Sequence, residues 1–275
     1  MTQIYSIASA KGGVGKTTTA VNLGAALSTS GNNVLLIDLD PERHLSNSLG
    51  VPAHSKYSIT TLISAVLNEM NIEEILPQCV LTTETLDYIP SSPALAGMAT
   101  QLAIRQNTMQ LSSDNEVKSE FVLKYVVNLF GTKYDYIIID CGRSIDLLTI
   151  NALVASNKVI VPVQAHYLPE EGLASFLDTV QRVRAKLNPT LEIGGILLTM
   201  YQGATNLCRS VEQDIRKRFG DEYRVFKQPI SYSIKVAEAP AFKKTIFAHE
   251  PANAAAQCYS AMAKELITDG KNVYS

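Results

Sequence analysis

Apolar residues gather in short runs bounded by Gly, Pro, Asp and Ser, and longer stretches with helical spacing lie between them. Ile4–Ala8, Val34–Leu39 (VLLIDL), Tyr136–Ile139, Lys158–Val163 (KVIVPV) and Ile193–Thr199 (IGGILLT) are apolar on both faces, as strands of a sheet covered above and below must be. Thr17–Ser30, Ser119–Phe130, Ile145–Ala155, Glu170–Leu187, Leu207–Phe219 and Asn253–Leu266 predict helices. The alternation predicts an α/β fold, a doubly wound and mostly parallel sheet with helices on both faces. Ser58–Asn107 breaks the rhythm, with small helices around a weak strand, Leu86–Ile89, and a turn-rich Pro90–Pro93. No repeat, low-complexity tract or linker interrupts the 275 residues, so a single domain over 1–275 is expected.

The segment between the first strand and the first helix reads Lys11-Gly12-Gly13-Val14-Gly15-Lys16-Thr17-Thr18. A glycine-rich turn in that position directs backbone N–H groups and a helix N-terminus at an anion, which is a phosphate loop of the P-loop NTPase type. Lys16 would bridge the β- and γ-phosphates, Thr17 would hold Mg²⁺ through its hydroxyl, and Thr18 would contact the α-phosphate. The usual loop carries Gly where Ala10 stands, and here a second lysine, Lys11, follows it.

KGGVGKTT resembles the deviant Walker A motif of the ParA/MinD family of P-loop ATPases, in which a signature lysine, here Lys11, reaches the nucleotide of a partner subunit. The resemblance implies ATP and Mg²⁺ as ligands and a homodimer that forms on ATP binding. LLIDLDP (Leu35–Pro41) resembles the Walker A′ segment, which implies that Asp40 orients the attacking water and Asp38 supports the Mg²⁺ shell. YDYIIIDC (Tyr134–Cys141) resembles Walker B, which assigns Asp140 to Mg²⁺. Leu147–Leu173, Leu197–Leu207 and Val236–Phe242 also match, so the resemblance covers nearly the whole chain. Met200 and Pro229 are candidates for the adenine pocket by loop position. Within the family the chain is similar to the small ParA/Soj branch used in DNA segregation. That implies ATP hydrolysis that is slow without a partner, nonspecific DNA binding, and a ParB-like centromere-binding protein that stimulates hydrolysis in a cytoplasmic, nucleoid-associated setting. The first strand begins almost at residue 3, so an N-terminal helix-turn-helix extension is not expected. AMAKELITDGKNVYS carries no basic amphipathic tail, so no membrane partner is expected.

Three departures from the family pattern stand out. The usual D-x-P-P-S after Walker B is here Asp140-Cys141-Gly142-Arg143-Ser144, and Arg143 could reach a phosphate or the dimer partner. Glu42 replaces a glutamine after Asp40-Pro41, followed by an unusual RHLSNSLG. Arginines expected near Ala204 and Tyr232 are missing.

Charge bears on the last point. With 24 Lys+Arg against 26 Asp+Glu the net charge is −2, which excludes a wholly basic nucleic-acid binder, and 46% hydrophobic residues exclude a disordered tail. Thr205–Thr245 nevertheless holds nine basic against five acidic side chains. Its Arg209, Arg216, Lys217, Arg218, Lys235, Lys243 and Lys244 are candidate contacts to a DNA backbone. Two alternatives remain: a ParA-like positioning ATPase for a protein cargo, or a metabolic P-loop enzyme. Cys79, Cys141, Cys208 and Cys258 form no CxxC pair, so neither a zinc knuckle nor a disulfide framework is suggested. The N-terminus lacks the charge and apolar core of a signal peptide, and no apolar run is long enough to span a bilayer. His44, His54, His166 and His249 show no metal-ligand spacing and read as solvated or structural.

Overall fold

In chain order, the computed structural model gives β1 (Gln3–Ile7), α1 (Lys16–Thr29), β2 (Val34–Leu39), α2 (His44–Ser48), α3 (Ile59–Leu67), α4 (Ile72–Cys79), β3 (Leu81–Thr82), β4 (Asp87–Ile89) and α5 (Leu95–Thr108). There follow α6 (Val122–Asn128), β5 (Tyr136–Cys141), α7 (Leu147–Ala155), β6 (Lys158–Gln164), α8 (Glu170–Lys186), β7 (Glu192–Thr199), α9 (Asn206–Phe219), α10 (Ile234–Glu238), α11 (Ile246–His249) and α12 (Ala254–Asn272). The structure describes residues 1–52, 55–83, 85–108, 117–166 and 170–272; His54 and part of the loop after β6 lie outside them.

The strands form one sheet in the order β3-β4-β2-β5-β1-β6-β7, parallel throughout except for the β3–β4 pair. Every residue of β2 and of β5 is buried. Alternation sends their side chains to two separate cores. Leu35, Ile37, Ile137 and Ile139 pack under α3 and α5–α9, whereas Leu36 and Ile138 pack under α1, α11 and α12. Burying each such side chain contributes roughly 1.5–3 kcal/mol. Helix α1 lies close on β2 because Gly24 has no side chain: a Cβ there would meet Leu36 Cδ2 at 2.7 Å.

The outer edge of β7 is covered by the returning chain. Ile196 and Phe226 N–H groups donate to Arg224 O and Ile196 O, Ile230 N–H donates to Leu198 O, and Tyr201 N–H to Ile230 O. Such cover removes an exposed edge that could pair with another chain. Arg224 fastens the same segment to α12 through Glu265 and Asp269.

Helix α7 begins two residues later than the periodicity suggests. Asp146 is its N-cap, accepting from the Leu148 and Thr149 N–H groups at 3.1 Å each, and this leaves Ile145 exposed. Asp140 therefore has no capping task. Helix α12 runs past Leu266. The short α2, α10 and α11 carry no readable apolar period, and two-residue β3 pairs antiparallel with β4 at the sheet edge. Among the described residues no helix is long and apolar enough to cross a membrane.

Candidate active site

Parallel strands place their C-terminal ends on one edge of the sheet, and α/β proteins bind ligands there. Ile7, Asp38 and Asp140 are register partners across β1, β2 and β5, so the phosphate loop after β1 rises beside two carboxylates. Gly13 and Gly15 adopt φ of 73° and 86°, a left-handed backbone that side chains rarely tolerate. Gly15 is the N-cap of α1, whose first turn holds no acidic residue, so its N–H groups remain available to an anion. Thr199, at the end of β7, donates its hydroxyl to Val14 O at 2.8 Å and holds the loop to the sheet.

The loop borders an open cleft of about 380 Å³. Gly13, Gly15, Lys16, Thr17 and Thr18 line one side, with Asp40, His44, Ser48, Arg143, Met200 and Pro240 around them. Met200 adopts φ of 53° there. Pro229 is buried in the strand-like segment against β7, next to Ile230, which bonds Leu198 and Tyr201 on either side of Met200. Val14 is buried beneath the loop, and Lys11 is exposed at its start. Lys16 is 7% exposed, and its Nζ donates to Lys11 O at 3.1 Å. Burial lowers its pKa, while Asp140, Cys141 and Asp40 hold it up.

The three aspartates differ in their partners. Asp38 is fully buried; its Oδ2 accepts from Ser46 N–H and Oγ at 2.8 and 2.6 Å, and its Oδ1 from Asp40 N–H at 3.1 Å. Burial still pushes its carboxyl up to about 6. Asp40 accepts from Glu42 N–H at 2.9 Å and lies 2.9 Å from His44 Nδ1. Asp140 is also fully buried, yet neither carboxylate oxygen has a well-formed hydrogen bond among the described residues. Burial first, and Asp38 next, raise its pKa well above the usual carboxylate value, with the Thr17 hydroxyl and Lys16 opposing. An orphaned buried carboxylate facing a lysine and a threonine hydroxyl fits a hard divalent cation, which would satisfy its oxygens and offset its charge.

His44 is not merely a solvated histidine, since it bonds a cleft carboxylate. Asp40, Glu42 and His44 offer ligand atoms within 4.8 Å of one another, but Glu42 is already engaged by Arg143 at 2.6 Å. Gly142 does not use a left-handed backbone; a Cβ there would lie 3.4 Å from Asp40 Oδ1. The four cysteines are buried and free, and burial raises the Cys141 thiol far above its ordinary pKa.

The basic stretch spans two layers of the fold. Helix α9 packs on the core that holds Leu35, whereas α11 and Val236 belong to the opposite core, so Arg209–Arg218 and Lys235–Lys244 ride on different layers. Arg216 binds Glu212 and the carbonyls of Phe226 and Lys227, Lys235 pairs with Glu238, and Lys243 donates to Asn47 O. Arg209 donates to Gly203 O and Asn206. Lys217, Arg218 and Lys244 are exposed.

A parallel doubly wound sheet with a lysine-led phosphate loop and a strand-end aspartate beside it defines a P-loop nucleotide-binding protein. Residues 2–193 match a family model described as an AAA domain. The chain is 38% identical over 271 residues to the sporulation initiation inhibitor protein Soj of Bacillus subtilis, covering 98% of this chain and all of that protein. It is 35% identical to the chromosome partitioning protein ParA of Caulobacter vibrioides, covering 97% and 94%. The fold superposes on cobyrinic acid a,c-diamide synthase of Mycobacterium smegmatis, solved with bound ADP and magnesium, with a TM-score of 0.80, 30% identity, and 98% and 96% of the two chains covered. The chain belongs to the ParA/Soj family of P-loop ATPases.

Proposed function

We propose that this protein is a DNA-partitioning ATPase that binds ATP with Mg²⁺, forms a nucleotide-sandwich dimer, and is released from DNA when a centromere-bound, ParB-like partner stimulates hydrolysis. The observation that carries the ATPase part is Asp140, buried and without a well-formed hydrogen bond opposite Lys16 and Thr17. Thr17 and Asp140 would hold Mg²⁺, and Asp38, already tied to Ser46, backs Asp140 from behind. The ion would withdraw charge from the transferring phosphoryl group. Lys16 serves the β/γ-phosphates, Gly12–Gly15 and Thr18 cradle the phosphate chain, and Asp40 orients the attacking water, itself steadied by His44. Met200 stands where it can border the base. Lys11 acts across the dimer.

DNA binding draws on the exposed Arg209, Lys217, Arg218 and Lys244, and dimerisation doubles their number. The partition of the basic residues between two layers favours one second reading, a positioning ATPase for a protein cargo. A mobility-shift titration of arbitrary duplex with and without ATP and Mg²⁺ separates the two. The DNA reading expects a shift that needs ATP and weakens steeply with salt; no shift at low salt leaves the cargo reading.

A further inference from the structure

The two unusual residues of the cleft, Glu42 and Arg143, meet each other. Glu42 belongs to the loop after β2 and Arg143 to the loop after β5, and Arg143 Nη2 lies 2.6 Å from Glu42 Oε2. The aliphatic part of Arg143 lies over the phosphate loop, its Cδ 3.3 Å from where a Gly12 Cβ would be, and the side chain lines the cleft with Lys16. Both partners are roughly half exposed, at 59% and 49%. An exposed pair of this kind is worth little and exchanges readily. Glu42 also has a second basic neighbour, since His44 Nε2 lies 3.5 Å from the same oxygen. A Glu42 that gives up Arg143 is half exposed, so water solvates its carboxylate.

We propose that Arg143 is a nucleotide-discriminating residue held in reserve by Glu42: the terminal phosphate of a nucleoside triphosphate takes Arg143 from Glu42, and a diphosphate does not. The inference rests on the ATP reading above. The chemistry is an exchange of ion-pair partners. Glu42 holds the guanidinium at the mouth of the cleft while that cleft is empty, which limits repulsion between Arg143 and Lys16. A third phosphate carries the extra negative charge and acceptor oxygens that outcompete one carboxylate for a guanidinium fork. The two departures from the family pattern then form one device in which each substitution supplies the other's partner.

Isothermal titration of the full chain with AMPPNP or ADP, in Mg²⁺, tests this in four proteins: wild type, Glu42→Gln, Arg143→Ala and the double variant. Arg143→Ala is expected to weaken AMPPNP about tenfold, the scale of one charge-assisted contact, and to leave ADP within about twofold. Glu42→Gln is expected to tighten AMPPNP about two- to fivefold, the range of an exposed ion pair, and to leave ADP unchanged. In the Arg143→Ala background Glu42→Gln should then do nothing, because Glu42 acts through Arg143. Equal weakening of both nucleotides in Arg143→Ala, or an equal effect of Glu42→Gln in both backgrounds, overturns the proposal. A wild type that binds neither nucleotide overturns the ATP reading and this inference with it. A wild type that binds both, with variants that behave alike, overturns the inference alone.

Discussion

Replacing Asp140 by asparagine should stabilise the ligand-free protein while destroying its site. Asp140 is fully buried, lacks a well-formed hydrogen bond, and sits in register with Asp38 on the adjacent strand. A carboxyl whose pKa is raised on folding binds more protons in the folded than in the unfolded chain between the two pKa values. Stability is therefore lost as pH rises through that window, the reverse of a salt-bridged aspartate. The neighbouring Asp38 moves from 3.8 to about 6, which corresponds to about 3 kcal/mol at pH 7.5. Burial, and Asp38 after it, raise the Asp140 carboxyl well above the usual value, so it carries a burden of the same sign. The Asp140→Asn substitution would remove that burden and relieve Asp38 of its like-charged neighbour. With about 0.6 kcal/mol/K of unfolding entropy for a chain of this length, each kcal/mol gained raises Tm by about 2 °C. Thermal melts in EDTA between pH 4 and 8 read the effect. The wild type should lose Tm as pH rises, the Asp140→Asn curve should be flatter and higher at pH 7.5, and the two should converge only near pH 4, where the unfolded carboxyl is protonated as well. Added AMPPNP and Mg²⁺ should raise the wild-type Tm and leave the variant where it was. A variant that melts below the wild type at pH 7.5, or that keeps the same pH slope, refutes the reasoning.

Three further outcomes are expected. Lys11→Ala should abolish the ATP-dependent dimer in sedimentation and retain nucleotide binding, and a normal ATP dimer would remove the role across the interface. Asp40→Ala should bind ATP but release phosphate at least about tenfold more slowly, so unchanged turnover would show that another group orients the water. Arg43→Ala should destabilise by about 2–4 kcal/mol, seen as a lower urea midpoint at constant slope. Arg43 is 5% exposed and donates to the carbonyls of Ser91 and Pro52 at 3.0 Å and to Val51 O and Asn47 Oδ1 at 3.4 Å.

What the sequence could show divides by range. The strand, loop and helix from Gln3 to Thr29 are readable because their determinants are local: an apolar run, glycines at left-handed positions and a helix start. Asp40 and Asp140 are readable because each ends an apolar run. The clasp of Thr199 on Val14 spans 185 residues and the contact of Arg143 with Glu42 spans 101, and no period or motif encodes either. The layout of the basic stretch is long-range for the same reason: the turn around the β7 edge sends α9 to one core and α11 to the other. Arg216, through the carbonyls of Phe226 and Lys227, and Arg224, through α12, are then consumed in fastening that turn. Departures from a family pattern show the limit most clearly. Taken singly, Glu42 adds negative charge where phosphates must sit and Arg143 adds positive charge where a proline is usual. Each looks like a defect of the site. Brought together in space they cancel, and the pair adds no net charge to the cleft that Lys16, Asp40 and Asp140 share.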